Sequence, residues 1–426
     1  MEWQQILGVR PEVSRLIAEA ETKMRRQHDM INATALFNQA KVLEAFRRER
    51  ITEDYFQSNE GYGYHDPGRE KLDALFARVF RGEDALVRPH LVSGTHTLFT
   101  CLRGLLRPGD RLLAVTGQPY DTLLRAMGGR GGVGEGKSGN EGNLQDWGID
   151  FEYIEKGEGK SLQEMLQKPT KVVLIQRSRG YDPHRPSLTI DGIANLIARI
   201  RSINSQVIIL VDNCYGEFVE KEEPLEAGAD ILAGSLIKNP GGGLAPTGGY
   251  IVGKAEYINM ISNAMTAPGL GKALGAFVYN KKLFFQGLFM APHLVGESLR
   301  GAVILAETLE QAGYSVSPRP VEKRGDIVQL IRLKKKEELQ LLCRAVQESS
   351  PINAHFTPVE GETPGYRDPI FMAGGTFVQG SSSELSADAP LREPYCLYLQ
   401  GGLSYQHYIL GVASILEAVS PPNHRC

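Results

Sequence analysis

The chain has 426 residues, 42% of them hydrophobic and 23% charged, with a formal net charge of −3. That length is more than one compact core usually supports, so two domains are expected. The mixed, near-neutral charge excludes the basic surplus of a nucleic-acid or membrane-surface binder, and no run of residues reads as the ~18–20 apolar positions that cross a bilayer.

Residues 11–50 read as helical, with apolar Leu16, Ile17, Leu36, Phe37, Leu43 and Phe46 against an otherwise polar surface. They suit an arm packing on another subunit, a lid, or an ordinary surface helix pair. Asp66 can cap the next helix and Pro67 fits its first turn. Leu72, Leu75, Phe76, Val79 and Phe80 then recur on one face. A strand–helix rhythm follows, with strands at 86–92, 111–116, 172–176, 207–211 and 231–233 and helices at 95–106, 121–127 and 191–203. Residues 207–211 (Val-Ile-Ile-Leu-Val) are continuously apolar, as in a parallel strand covered on both faces. The fold class is therefore α/β, a doubly wound, mainly parallel sheet.

Residues 128–143 are rich in Gly, Ser and Asn and read as an exposed loop. Within them Gly129-x-Gly131-x-x-Gly134 matches the dinucleotide string but lacks a strand before it and a helix after it, so it is rejected. Beyond about residue 285 a helix at 294–311 and short strands at 328–333, near 370–379 and at 395–400 indicate a smaller α+β domain. The expected organisation is an N-terminal helical arm (1–60), a large domain (61–285) and a small C-terminal domain (286–426). The N-terminus has neither the basic start nor the apolar stretch of a secretory signal. Cysteines 101, 214, 343, 396 and 426 form no even framework and no CxxC pair. A cytoplasmic, reduced protein is the expectation.

Ligands of such sheets bind beyond the carboxyl ends of the strands, where four groups of residues fall. Ser93-Gly94-Thr95-His96 joins a strand to a helix. Ser93 can cap that helix, and the free N–H groups there, approached closely at Gly94, suit a phosphate. Tyr120 follows the strand ending near residue 116, where its ring could stack on a flat cofactor or simply pack. Asp212 directly follows the apolar strand; a carboxylate buried there is costly without a partner, and a pyridinium N–H would be one. Ser235-x-x-Lys238-Asn239-Pro240 and the glycines 241–243 come next. Burial there is expected to lower the proton affinity of Lys238 and make it a nucleophile able to form an imine. Asp212 followed by Ser-x-x-Lys and a glycine run points to a pyridoxal phosphate (PLP) site. No GK[ST] loop is present, and His65, His90, His96 and His184 lack metal-ligand spacing, so no metal is expected.

The order Ser-Gly-Thr-His, Tyr120, Val-Asp-Asn-Cys-Tyr, Ser-x-x-Lys resembles the fold-type I PLP enzymes of the Cys/Met metabolism group. Gln176–Tyr181, Asn239–Gly243 and Gln400–Leu403 resemble its methionine γ-lyase-like, "aluminium resistance" branch. The resemblance implies Lys238 as the Schiff-base lysine and proton shuttle, Asp212 on the ring nitrogen and Tyr120 on the ring. It puts Ser93, Gly94, Thr95 and Ser235 at the phosphate. A Tyr-x-Arg segment of a neighbouring subunit reaches that phosphate in the wider family; Gly61-Tyr62-Gly63-Tyr64 stands in its place, making Tyr62 and Tyr64 candidates without the Arg. Arg392, or Arg179 or Arg177, is the candidate for the substrate carboxylate. Ile237 stands where many relatives carry Thr, and 379–386 matches the small-domain Ser-Leu-Gly motif loosely.

The implied activity is a PLP-dependent carbon–sulfur lyase, of the methionine γ-lyase or cystathionine lyase type, acting on a sulfur amino acid, a small-molecule substrate, in a homodimer or homotetramer with shared sites. The alternatives are a γ-replacement or aldolase-type reaction on the same fold, or a non-enzymatic anion- or nucleotide-binding protein.

Overall fold

The computed structural model describes residues 2–129, 142–155 and 161–419. Most of the expected 128–143 loop, with Gly131 and Gly134, and Cys426 lie outside them.

A seven-stranded sheet contains β1 (Asp84–Arg88), β2 (Arg111–Ala114), β3 (Asp150–Tyr153), β4 (Val172–Gln176), β5 (Ile208–Asp212), β6 (Ile231–Ser235) and β7 (Gly249–Gly253), in the order β1-β7-β6-β5-β4-β2-β3. Strands β3, β2, β4, β5 and β6 run parallel; β7 is antiparallel to β6 and β1 to β7. All of β4 and β5 is buried. Side chains alternate between faces, so Ile209 and Val211 enter one core and Ile208 and Leu210 the other. The first core takes Leu72 and Phe76 of α4 (Pro67–Val79) and Ile193, Ile197 and Ile200 of the later helix at Ile190–Ile203. The second takes Leu98 and Leu102 of α5 (Gly94–Leu105). Before α4 in the chain come α1 (Trp3–Leu7), α2 (Pro11–Lys23) and α3 (Arg25–Arg48); α6 (Asp121–Met127), α7 (Leu162–Gln167) and α8 (Ile190–Ile203) lie among the strands, and α9 (Ala255–Met265) follows β7.

The second sheet is antiparallel: β8 (Ser315–Ser317), β9 (Gln329–Arg332), β10 (Ile370–Ala373), β11 (Ser386–Pro390) and β12 (Cys396–Gln400), in the order β10-β11-β12-β9-β8. It shares a core with α11 (Lys336–Glu348) and α12 (Tyr405–Val419), through Leu342, Val346, Leu397, Leu399, Val412 and Leu416.

The two sheets are joined by α10 (Lys282–Gln311), which begins well before the expected residue 294. Pro292 inside it hid the first turns, because proline removes a helical hydrogen bond. The nearby Phe289 carbonyl accepts from Gln39 Nε2 at 3.0 Å. Phe284, Leu288, Ala291 and Val295 enter the large core, whereas Ala302, Ile304, Leu305 and Leu309 enter the small one. The expected boundary at 285/286 thus falls inside a helix. Among the described helices α10 has the length and hydropathy of a membrane span, contrary to the sequence reading; 78% of its apolar window is buried against the rest of the chain, as in a core helix. A methyl added at Gly287 would stand 2.3 Å from the Gly241 carbonyl. Gly287→Ala is therefore expected to destabilise by about 1–3 kcal/mol, the usual cost of overpacking, read as a lower urea midpoint.

The N-terminal helices divide in the same way. Val13, Ile17 and Ala20 of α2 join the small core, Val42 and Ala45 of α3 the large one. Leu36, Phe37 and Leu43 remain 72%, 47% and 47% exposed on α3.

Candidate active site

Strands β4, β5 and β6 end on the same side, bringing Gln176, Asp212 and Ser235 together. They line a cavity of about 230 Å³. The large sheet contributes Ser93, Gly94, Thr95, Tyr120, Asp212, Ser235 and Lys238; the small sheet contributes Asp388, Tyr398 and Gln400.

Ser93 caps α5, its Oγ accepting from the His96 N–H at 3.0 Å. The N–H groups of Gly94 and Thr95, in the first turn, have no helical acceptor and stay available. A methyl at Gly94 would already touch Cys214 Sγ at 3.4 Å. Thr95 Oγ1 lies 2.8 Å from Thr122 Oγ1 and 3.3 Å from the Tyr120 hydroxyl, and the Tyr120 N–H donates to Gln176 Oε1 at 3.3 Å.

Asp212 is the last residue of β5, and its Oδ1 accepts from the Cys214 N–H at 3.1 Å. Burial pushes its carboxyl up; the hydrogen bonds from Cys214 and the charges of Lys238 and Arg185 oppose that. Lys238 Nζ lies 3.2 Å from Ser382 Oγ and 3.5 Å from the centre of the Tyr215 ring. Tyr215 holds a left-handed φ of 72°, a strained choice for a bulky residue and one met at functional sites. Lys238 does not show the expected loss of proton affinity. Burial does act downward, but Tyr215, Cys214 and Asp212 around the ammonium outweigh it and hold its pKa above the ordinary lysine value.

Two expected residues are placed otherwise. Arg179 is buried with its guanidinium on Ser317 Oγ at 3.0 Å, and Arg392 pairs with Asp368 at 3.1 Å and donates to the Tyr181 carbonyl. Neither lines the cavity, because each is held by a nearer acceptor. Arg177 is fully buried on Asn213 and Glu220. Tyr62 and Tyr64 are 74% and 54% exposed, outside this chain's cavity. Ile237, the noted departure, lines the cavity beside Ser235.

The sequence reading missed Tyr215, Ser382, Tyr181, Asp388, Tyr398 and Gln400. Tyr215 stood within the quoted Val-Asp-Asn-Cys-Tyr string, and Ser382 within the loosely matching 379–386 segment. Tyr181 closes the Gln176–Tyr181 stretch and Gln400 opens the Gln400–Leu403 stretch; Asp388 and Tyr398 gave no local signal.

A larger cavity, about 490 Å³, lies between α3, the start of α8 and residues 320–324. Its Lys323 is already paired with Asp191 and Glu220, at 2.7 and 2.8 Å, and its Lys221 stands 5.3 Å from the centre of the Phe37 ring, whereas the smaller cavity holds Lys238 beside Asp212, so the chemistry is assigned to the smaller cavity.

Behind Lys238, Glu217 is fully buried, takes a 2.6 Å hydrogen bond from the Tyr250 hydroxyl and leaves Oε2 without a partner. Burial pushes its carboxyl from 4.5 up to about 8. Its contribution to stability is complete below about 4.5 and is lost as the pH rises through about 8, because the folded state must then bury a charge. Glu217→Gln should flatten this decline. Melting curves across that window should show the wild type losing several degrees more than the variant.

The family model described as methionine gamma-lyase matches residues 13–420. The chain belongs to the methionine gamma-lyase family. The uncharacterised Bacillus subtilis protein YnbB is 45% identical over 406 residues, covering 94% of this chain and 95% of that one. The carbon–sulfur lyase involved in aluminum resistance from Clostridium novyi NT superposes with a TM-score of 0.90 at 41% identity, covering 98% of each chain. The pyridoxal-5′-phosphate-dependent protein YhfS from Escherichia coli shares the fold, with a TM-score of 0.60 at 17% identity over 91% of this chain and 96% of that one. The expected fold-type I architecture is therefore present, and the chain is a PLP-dependent lyase of the methionine gamma-lyase family.

Proposed function

We propose that this chain is a carbon–sulfur lyase that converts a sulfur amino acid and water into a thiol, a 2-oxo acid and ammonia. The observation that supports this most is the convergence of Lys238, Asp212 and the N-terminus of α5 on one cavity. These groups fit PLP. Asp212 is a buried carboxylate in need of a cationic donor, the Gly94 turn is tight enough to admit a ligand against backbone, and free N–H groups await an anion. Lys238 would hold the cofactor's aldehyde, Asp212 its ring nitrogen, Tyr120 its ring face, and Ser93, Gly94, Thr95 and Ser235 its phosphate.

When bound, PLP supplies an electron sink for negative charge at the substrate α-carbon. Lys238 would take the α-proton at Nζ. Asp212 would keep the ring nitrogen protonated through a charge-assisted hydrogen bond. Ser382 orients Nζ, and the Tyr215 ring face favours its cationic form. The C–S bond would then break, the departing sulfur taking a proton to leave as the thiol, and water would convert the remaining unsaturated amine into the 2-oxo acid and ammonia.

Purified protein should show a visible band that borohydride bleaches, with the cofactor's mass fixed on the peptide carrying Lys238. Methionine, cystathionine and cysteine assayed separately, with thiol and 2-oxo acid identified, would separate elimination from replacement. A protein that stays colourless with added PLP would refute the reading. The exposed Tyr62 and Tyr64 can reach a phosphate only in another copy, so the active form is proposed to be at least a dimer. A fully active monomer by light scattering would exclude that.

A further inference from the structure

Among the described residues the cavity carries one carboxylate besides Asp212, and it comes from the opposite wall. Asp388 of β11 is fixed through Oδ2, which accepts from the Tyr181 hydroxyl at 3.0 Å and from Gln400 Nε2 at 3.1 Å. Among the described residues nothing donates to its Oδ1, and the residue lines the cavity. Around it stand aromatic rings: Tyr181 lies 5.3 Å from Tyr398 and 5.9 Å from Tyr366, centre to centre, and all three line the same space. Among the lining residues Lys238 is the sole Lys or Arg.

We propose that Asp388, with the Tyr181, Tyr366 and Tyr398 rings, forms a subsite for a protonated amine on the substrate's side chain. This rests on the lyase reading above and deepens it, because it names the substrate class: a sulfur amino acid whose side chain ends in an ammonium group. The substrate's α-amine is committed to the cofactor at Lys238, on the large-sheet wall. A second ammonium is the group that an acceptor oxygen and electron-rich ring faces recognise together. The same cavity already seats the Lys238 ammonium over the Tyr215 ring in this manner. A neutral thioether such as methionine would displace water from Oδ1 and give it no donor, which is costly for a carboxylate. A side chain ending in a carboxylate alone would meet Asp388 as a like charge.

The test is an isosteric pair, S-(2-aminoethyl)-L-cysteine and S-propyl-L-cysteine, which differ only in a terminal ammonium against a methyl. Binding is measured by calorimetry on Lys238→Ala protein supplied with PLP, so that neither ligand is consumed. The aminoethyl compound should bind about tenfold tighter or more, the range of a hydrogen bond to a charged group. Asp388→Asn added to that protein should bring the two ligands to near-equal affinity. A general loss of packing would weaken both ligands alike and leave their ratio unchanged. Equal affinity before any change at Asp388, or a preference that survives Asp388→Asn, overturns the proposal. Failure of the lyase reading would show separately, as a missing visible band and no turnover of any sulfur amino acid by the wild type.

Discussion

Lys238→Ala is expected to give a folded protein without measurable turnover. One positioned acid–base group is worth about 10²–10⁴-fold in rate, and Lys238 is assigned both that role and the attachment of the cofactor. Among the described residues that line the cavity it is the one amine, so none of them can replace it. The lost side chain leaves Ser382 Oγ and the Tyr215 ring without their ammonium, but the Tyr215 carbonyl still accepts from the Ile327 N–H at 3.2 Å and Ser382 is buried. Circular dichroism and gel filtration should therefore match the wild type, while the visible band that borohydride bleaches disappears. Full activity in this variant would remove the basis of the assignment.

Asp212→Asn carries the second large effect. The amide keeps the size and can still accept from the Cys214 N–H, so the end of β5 should hold its shape. What it loses is the charge that keeps a ring nitrogen protonated. A hydrogen bond to a charged group contributes about 1.5–3 kcal/mol, which corresponds to about 10–150-fold in rate. The loss should appear mainly in kcat, since the charge matters most when the α-proton has left. A change confined to KM would indicate that Asp212 orients substrate instead.

How much of this was legible in the sequence depended on how local the signal was. The run Val207–Val211 announced a doubly covered strand, and Asp212 and Lys238 were visible because each follows such a strand within a few residues. β3 (Asp-Phe-Glu-Tyr) and β11 (Ser-Ala-Asp-Ala-Pro) gave no such sign. Both are short, and polar or small residues in them mask any period of two. β7 is framed by glycines that read as turn. The second wall of the cavity was not legible as a wall for a different reason: Tyr181 and Gln400 stood in stretches that carried the resemblance, but they and Asp388 lie on three separate elements, and the folding of β11 against β12 is what brings two of them together. Arg179 and Arg392 looked free because a sequence does not show that Ser317 or Asp368 will be the nearer partner.

The course of α10 also decides how the molecule can be divided. One half of the helix is built into each core, and Gly287 is wedged against the turn that follows Lys238. A fragment ending at residue 285 would keep Phe284 and Phe285 but strip Leu288, Ala291 and Val295 from the large core. The complementary fragment would begin with those residues uncovered. Each piece would therefore present apolar surface that the other was shaped to cover, and co-expression of the two, rather than either alone, is the route by which a split chain should stay in solution.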